Sequence, residues 1–127
     1  MIYIKTYESY VRRANFYELC RCRRKAIKVM KEGTNQSFSN LEIGSGYIYI
    51  GLMYKDFKEL ASASHYFESA LSLCKNEQYP FSPNYKEIIE CFIKNGELEK
   101  AMKWHNHLLG RASYDKKFLR LKKMNLS

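Results

Sequence analysis

The chain has 127 residues, of which 46% are apolar and 28% charged, with two prolines and six glycines. That supports one soluble domain and excludes a disordered, collagen-like or turn-rich all-β chain. No apolar run reaches the roughly 18 residues that span a membrane, and the start, Met1-Ile2-Tyr3-Ile4-Lys5, lacks the order of a secretory signal. The expectation is a cytoplasmic, all-α protein with a formal charge of +9.

The charge is uneven. Residues 1–36 carry nine basic and three acidic residues, residues 37–85 three and five, and residues 86–127 ten and five. The densest clusters are Arg21, Arg23, Arg24, Lys25, Lys28 and Lys31, then Arg111, Lys116, Lys117, Arg120, Lys122 and Lys123. Solvated helix faces are the plain reading of both. Binding to acidic protein surfaces or to nucleic acid is the functional one.

Apolar residues recur at spacings of three and four along segments of 11 to 17 residues, which predicts helices. Breaks pair these helices into hairpins at about 1–31, 41–75 and 84–110. The tight breaks fall around Ala14-Asn15, Asp56-Phe57-Lys58 and Asn95-Gly96. Longer loops fall at 32–37 and 76–83. A further helix at about 113–125 sets Phe118, Leu121 and Met124 on one side and Lys116, Lys117, Arg120, Lys122 and Lys123 on the other. Such a helix caps the end of a repeat array, or pairs with a second copy in a homodimer.

The hairpins resemble tetratricopeptide repeats, which place large, small and aromatic residues at fixed positions. In the second hairpin those positions fall on Tyr47, Ile50, Gly51, Tyr54, Ala63, Phe67 and Ala70. In the third they fall on Tyr85, Ile88, Ile89, Phe92, Ala101, His105 and Leu108. In the first they fall on Tyr3, Thr6, Tyr7, Tyr10, Leu19, Arg23 and Ala26, a poor fit. Small residues let paired helices approach, and stacked hairpins bury what one hairpin cannot. The fold expected is thus a helical-hairpin solenoid of about three repeats plus a capping helix. Its inward positions are Ile4, Glu8, Val11 and Arg12, then Ile48, Leu52, Lys55 and Asp56, then Lys86, Glu90, Ile93 and Lys94. Glu8, Arg12, Lys55, Asp56, Glu90 and Lys94 then line a mixed-charge groove for a partner or peptide, with Ile48, Leu52 and Lys86 beside them.

Catalysis and cofactors are not expected. Cys20, Cys22, Cys74 and Cys91 include no C-x-x-C pair, so free buried thiols are the default. Two-residue spacing turns Cys20 from Cys22, and His105 from His107, about 200° apart on a helix, so neither pair shares a metal. Gly44-Ser45-Gly46 is the nearest approach to a phosphate loop, but no Lys-Ser/Thr pair follows it.

Three stretches carry a closer resemblance: Asn15 to Arg21 (NFYELCR), Tyr47 to Phe57 (YIYIGLMYKDF) and Lys86 to Leu109 (KEIIECFIKNGELEKAMKWHNHLL). They resemble the C-terminal part of the arbitrium receptors of Bacillus phages, within the peptide-sensing regulators of Gram-positive bacteria. The resemblance implies a regulator acting through protein contacts, with a full-length receptor or another regulator as partner. The alternative it implies is a short signal-peptide receptor. The helix-turn-helix of those receptors has no counterpart here, and the inward positions above include none of their peptide-gripping asparagines. Nucleic-acid binding through the basic ends, with Tyr3, Tyr7 and Tyr10 stacking on bases, is the third expectation.

Overall fold

The computed structural model describes residues 6–124 and 126. Six α-helices make three hairpins: α1 Tyr7–Leu19 with α2 Arg23–Thr34, α3 Asn40–Asp56 with α4 Leu60–Leu73, and α5 Asn84–Lys94 with α6 Leu98–Gly110. A 3-10 turn at Arg111–Ser113 and a 3-10 helix at Lys116–Lys123 follow. Among the described residues there is no strand, and no helix is long and apolar enough to cross a membrane. The chain divides into two compact units. The first runs up to Glu77 and holds two hairpins; the second starts at Gln78 and holds the third.

Local chemistry starts the helices of the first unit. Thr6 Oγ1 accepts the Ser9 N–H at 3.2 Å and caps α1. Ser39 and Glu42 cap α3 reciprocally: Ser39 Oγ accepts the Glu42 N–H at 3.1 Å, and Glu42 Oε1 accepts the Ser39 N–H at 3.2 Å. Each pair satisfies donors that the helix start leaves open.

All three hairpins turn in the same way. Arg21, Lys58 and Gly96 take left-handed φ values of 60°, 62° and 76°. The residue after each sends its N–H back to a carbonyl of the helix just ended: Cys22 to Tyr17 at 2.7 Å, Glu59 to Tyr54 at 3.0 Å and Glu97 to Phe92 at 2.9 Å. The left-handed residues themselves bond Glu18, Lys55 and Ile93 at 2.9, 2.9 and 3.0 Å. This paired closure satisfies the last carbonyls of the first helix and starts the second at once.

The shared turn sets the repeat register and corrects the first hairpin. Lys58 follows Arg21 by 37 residues, and Gly96 follows Lys58 by 38. Residues equivalent to Tyr47, Ile50, Gly51, Tyr54, Ala63, Phe67 and Ala70 are therefore Tyr10, Arg13, Ala14, Tyr17, Ala26, Met30 and Gly33, seven residues beyond the expected alignment. The expected break at Ala14-Asn15 is mid-helix, and Ala14 is buried against the core. Hairpin one reaches Thr34, and its expected residues 1–5 lie outside the described ones.

In that register the small residues line up where helices meet. Ala26, Ala63 and Ala101 are all fully buried. Gly51 lies under the Phe67 ring so closely that a Cβ there would come within 2.5 Å of it. Gly44 and Gly46 serve the same close approach, against Cys74 and Thr34, inside α3. Gly44-Ser45-Gly46 thus lies within α3 and forms no phosphate loop. Within the first unit α2 packs on α3, around Tyr10, Ile27, Met30, Ile50 and Met53.

The second unit closes its single hairpin differently. The expected α-helix over about 113–125 is instead 3-10 over most of its length, and residue 125 lies outside the described residues. Three residues per turn put i and i+3 in line. Phe118, Leu121 and Met124 thus form one straight row, and Phe118 and Leu121 are 0% and 1% exposed. An α-helix would rotate that row by about 60° at each step. Phe118 inserts among Tyr79, Phe81, Tyr85 and Tyr114, with ring centroids 5.4–6.3 Å away. Polar bonds fix the strap. Tyr114 Oη donates to the Tyr79 carbonyl at 2.6 Å. Asp115 Oδ2 accepts the Phe81 N–H at 3.0 Å. His105 Nε2 meets the Leu121 carbonyl at 2.7 Å; since a carbonyl only accepts, that nitrogen carries the proton.

Candidate functional site

The expected groove residues fall on both units, and the structure describes them separately. In the first, Ile48, Leu52 and Lys55 of α3 are half-buried and Asp56 is exposed. Glu8 and Arg12 are exposed on α1, but the corrected register removes them from the positions they were given. Their places belong to Val11, Asn15, Glu18 and Leu19; Ile4 lies outside the described residues. Asn15 is exposed, Leu19 is 85% exposed and Phe16 beside them 61%. Glu18 is engaged, because its carboxylate accepts the Tyr49 hydroxyl. Burial first, and that bond to an anion second, push the Tyr49 phenol well above its ordinary value. In the second unit Lys86 and Lys94 of α5 are exposed and Glu90 is half-buried.

Two clefts collect the basic clusters. In the first unit Arg21, Cys22, Arg23, Arg24, Lys25 and Phe57 line a space of ≈ 330 Å³ at the hairpin turns. Arg24 lies over the Phe57 ring, 4.1 Å from its centroid. Its guanidinium forks onto Glu59 at 2.6 and 3.2 Å. That bond holds the Glu59 carboxyl below its ordinary value. Arg21, Arg23 and Lys25 stay exposed.

In the second unit Phe81, Pro83, Lys86, Arg120, Leu121, Lys123 and Met124 line a cleft of ≈ 350 Å³. Its floor is apolar, and its three charged lining residues are all exposed cations. One wall is held by Asp115, whose carboxylate accepts the Phe81 and Lys117 N–H groups, each at 3.0 Å. Those two bonds lower its pKa from the ordinary carboxylate value. This cleft joins one expected groove residue, Lys86, to two of the expected cap residues, Leu121 and Met124. Leu121 and Phe118 are spent inside the unit and offer a second copy no surface.

Comparison with known protein families, curated proteins and solved structures finds no match.

Among the described residues no three His, Cys, Asp or Glu side chains converge as metal ligands. Cys74 and Cys91 are buried and in no disulfide, but Cys20 is exposed and Cys22 half-buried. The expectation that all four are buried fails there because the α1–α2 turn falls on them. Tyr10 is 2% exposed, so its ring offers no face to a base, and Tyr7 is half-buried with its ring at right angles to Phe38, 5.9 Å between centroids. Tyr3 lies outside the described residues. Sequence reasoning does not reach Asn15 or Phe81 as site residues, and it reaches Arg120 and Lys123 only as members of a basic cluster. The first needed the true register. The others needed the 3-10 geometry of the strap, which spacings of three from 118 to 124 allow but do not single out.

Proposed function

We propose that this chain is a non-catalytic protein-binding module on a tetratricopeptide-like solenoid, a relative of the peptide-sensing regulators that acts through protein contacts. The observation that carries the reading is the turn repeated at 37 and 38 residues, with buried alanines at equivalent places behind it. Repeats of this kind cover one side of each hairpin and leave the first-helix residues for a partner. On the first unit those residues mix apolar and charged chemistry, Leu19, Ile48 and Leu52 with Lys55 and Asp56, as protein interfaces do.

A photo-crosslinking side chain placed at Leu52, in tagged protein recovered from the native cells with nuclease present, tests the reading. One dominant protein adduct is expected, absent when the crosslinker sits at Lys28 on α2. Equal adducts from both positions, or none, would overturn it. Asn15 supports a second reading, a short signal-peptide receptor. It holds an inner position in the corrected register, and its amide can both donate to and accept from a peptide backbone. A rise in melting temperature with secreted peptides, lost in Asn15→Ala, is the expected result.

A further inference from the structure

The protein-binding reading leaves the partner's chemistry open, and the cleft of the second unit supplies it. A 3-10 helix arranges side chains in straight rows three residues apart. Between Lys116 and Met124 one row is Phe118, Leu121 and Met124, and the next is Lys117, Arg120 and Lys123. Of the apolar row, Met124 and the edge of Leu121 line the cleft beside Phe81, and Arg120, Lys123 and Lys86 are its charged lining residues. Among the described residues no ion pair engages Lys86, Arg120 or Lys123. Asp115, five residues before Arg120, is committed to the backbone of Phe81 and Lys117.

The spacing fits an extended peptide. Cations three residues apart on a 3-10 helix are about 6 Å apart along its axis. Alternate residues of an extended chain are about 6.6 Å apart and point the same way, while the residue between them points oppositely. A peptide in the cleft can thus set one apolar side chain on the floor and its two neighbours on the rim. Those neighbours must be acidic, because every charged lining residue is basic. A nucleobase fits less well. Met124 and the edge of Leu121 are aliphatic, and Arg120 lies over the one aromatic ring, Phe81, at 5.8 Å.

We propose that this cleft docks an acidic–apolar–acidic segment of a protein partner, with the apolar residue on Phe81 and Met124 and the carboxylates on Lys86, Arg120 and Lys123. The proposal rests on the protein-binding reading and names the partner chemistry for one of its surfaces.

Selection of a random peptide display library on the full chain tests it, followed by fluorescence anisotropy of the winning peptides. Winners carry a bulky apolar residue between two acids. Their affinity falls about tenfold or more in the double variant R120E/K123E, and again in Lys86→Glu. It falls less than about threefold in Lys116→Glu, a charge change equal to that of Lys86→Glu but on another row. Circular dichroism confirms that these exposed substitutions leave the fold intact. Winners without acids, equal loss in Lys116→Glu, or displacement by a single-stranded oligonucleotide would overturn the proposal. Winners that bind R120E/K123E as well as the parent would overturn the cleft and leave the module standing. No winners at all would count against both.

Discussion

The two units meet one requirement in different ways. A helical hairpin has an apolar side that it cannot cover alone. In the first unit a second hairpin covers it, α2 against α3, with Gly46 letting the helices close on Thr34. In the second unit the chain's own 3-10 strap covers it, through one aromatic plug. Phe118 is surrounded by four rings and fully buried. A repeat unit distributes burial over many small contacts, whereas a strap concentrates it on one side chain. The strap also brings its cations to the edge of the hairpin it covers, and so a cleft arises there.

The sharpest way to break that comparison is to remove the plug. Phe118→Ala should cost the second unit about 3–5 kcal/mol, the usual range for deleting a buried aromatic. Hydrogen exchange should show amides of α5 and α6 losing protection while α2 and α3 keep theirs. If α2 and α3 lost protection equally, the division into two units would be wrong. The single tryptophan, Trp104, lies on α6 and is 2% exposed, so its fluorescence reports the second unit alone.

The turns sharpen the comparison at smaller scale. Both units use a left-handed residue, but the second unit has Gly96 there and the first has Arg21 and Lys58. A residue with a Cβ pays about 1–2 kcal/mol in that conformation. Glycine loses about 0.5–1 kcal/mol more backbone entropy than alanine on folding. Lys58→Gly should therefore stabilise the first unit by on the order of 0.5 kcal/mol, and Gly96→Ala should destabilise the second by a similar amount. Equilibrium denaturation read by Trp104 follows Gly96→Ala, and hydrogen exchange in α3 and α4 follows Lys58→Gly. Shifts of the same sign in both would mean that the turns are not equivalent.

These turns also explain what could be read in the sequence. Asn95-Gly96 announces the third turn, and Gly51, Ala63, Phe67 and Ala70 announce the second hairpin. The first hairpin hides its turn. Arg21 adopts the left-handed conformation without being glycine, and nearby Asn15, a frequent turn residue, sits in a helix. An alignment drawn from residue type alone therefore falls seven residues short of the one the turns set, and Asn15 rather than Glu8 is the equivalent of Leu52. At the C-terminal end, spacings of three in Phe118, Leu121 and Met124 fit both helix types on paper. Only a strap that must keep a straight apolar row over the hairpin selects the 3-10 form.

Asp115 gives the finest test, because it ties the strap down with a charge where the first unit ties its hairpins with packed helices. Its carboxyl accepts two backbone N–H groups, so folding lowers its pKa. The contribution is therefore whole above the ordinary carboxylate value of 3.8 and is lost as pH falls through the lowered, folded value. Asp115→Asn keeps an acceptor oxygen but not the charge. It should weaken the second unit at neutral pH, read by Trp104, and the gap from the parent should close as the parent's Asp115 protonates in acid. A gap unchanged between neutral and strongly acidic pH would mean that the carboxylate's charge does not hold the strap. The strap would then rest on Phe118, and the cleft wall at Phe81 would be set by packing alone.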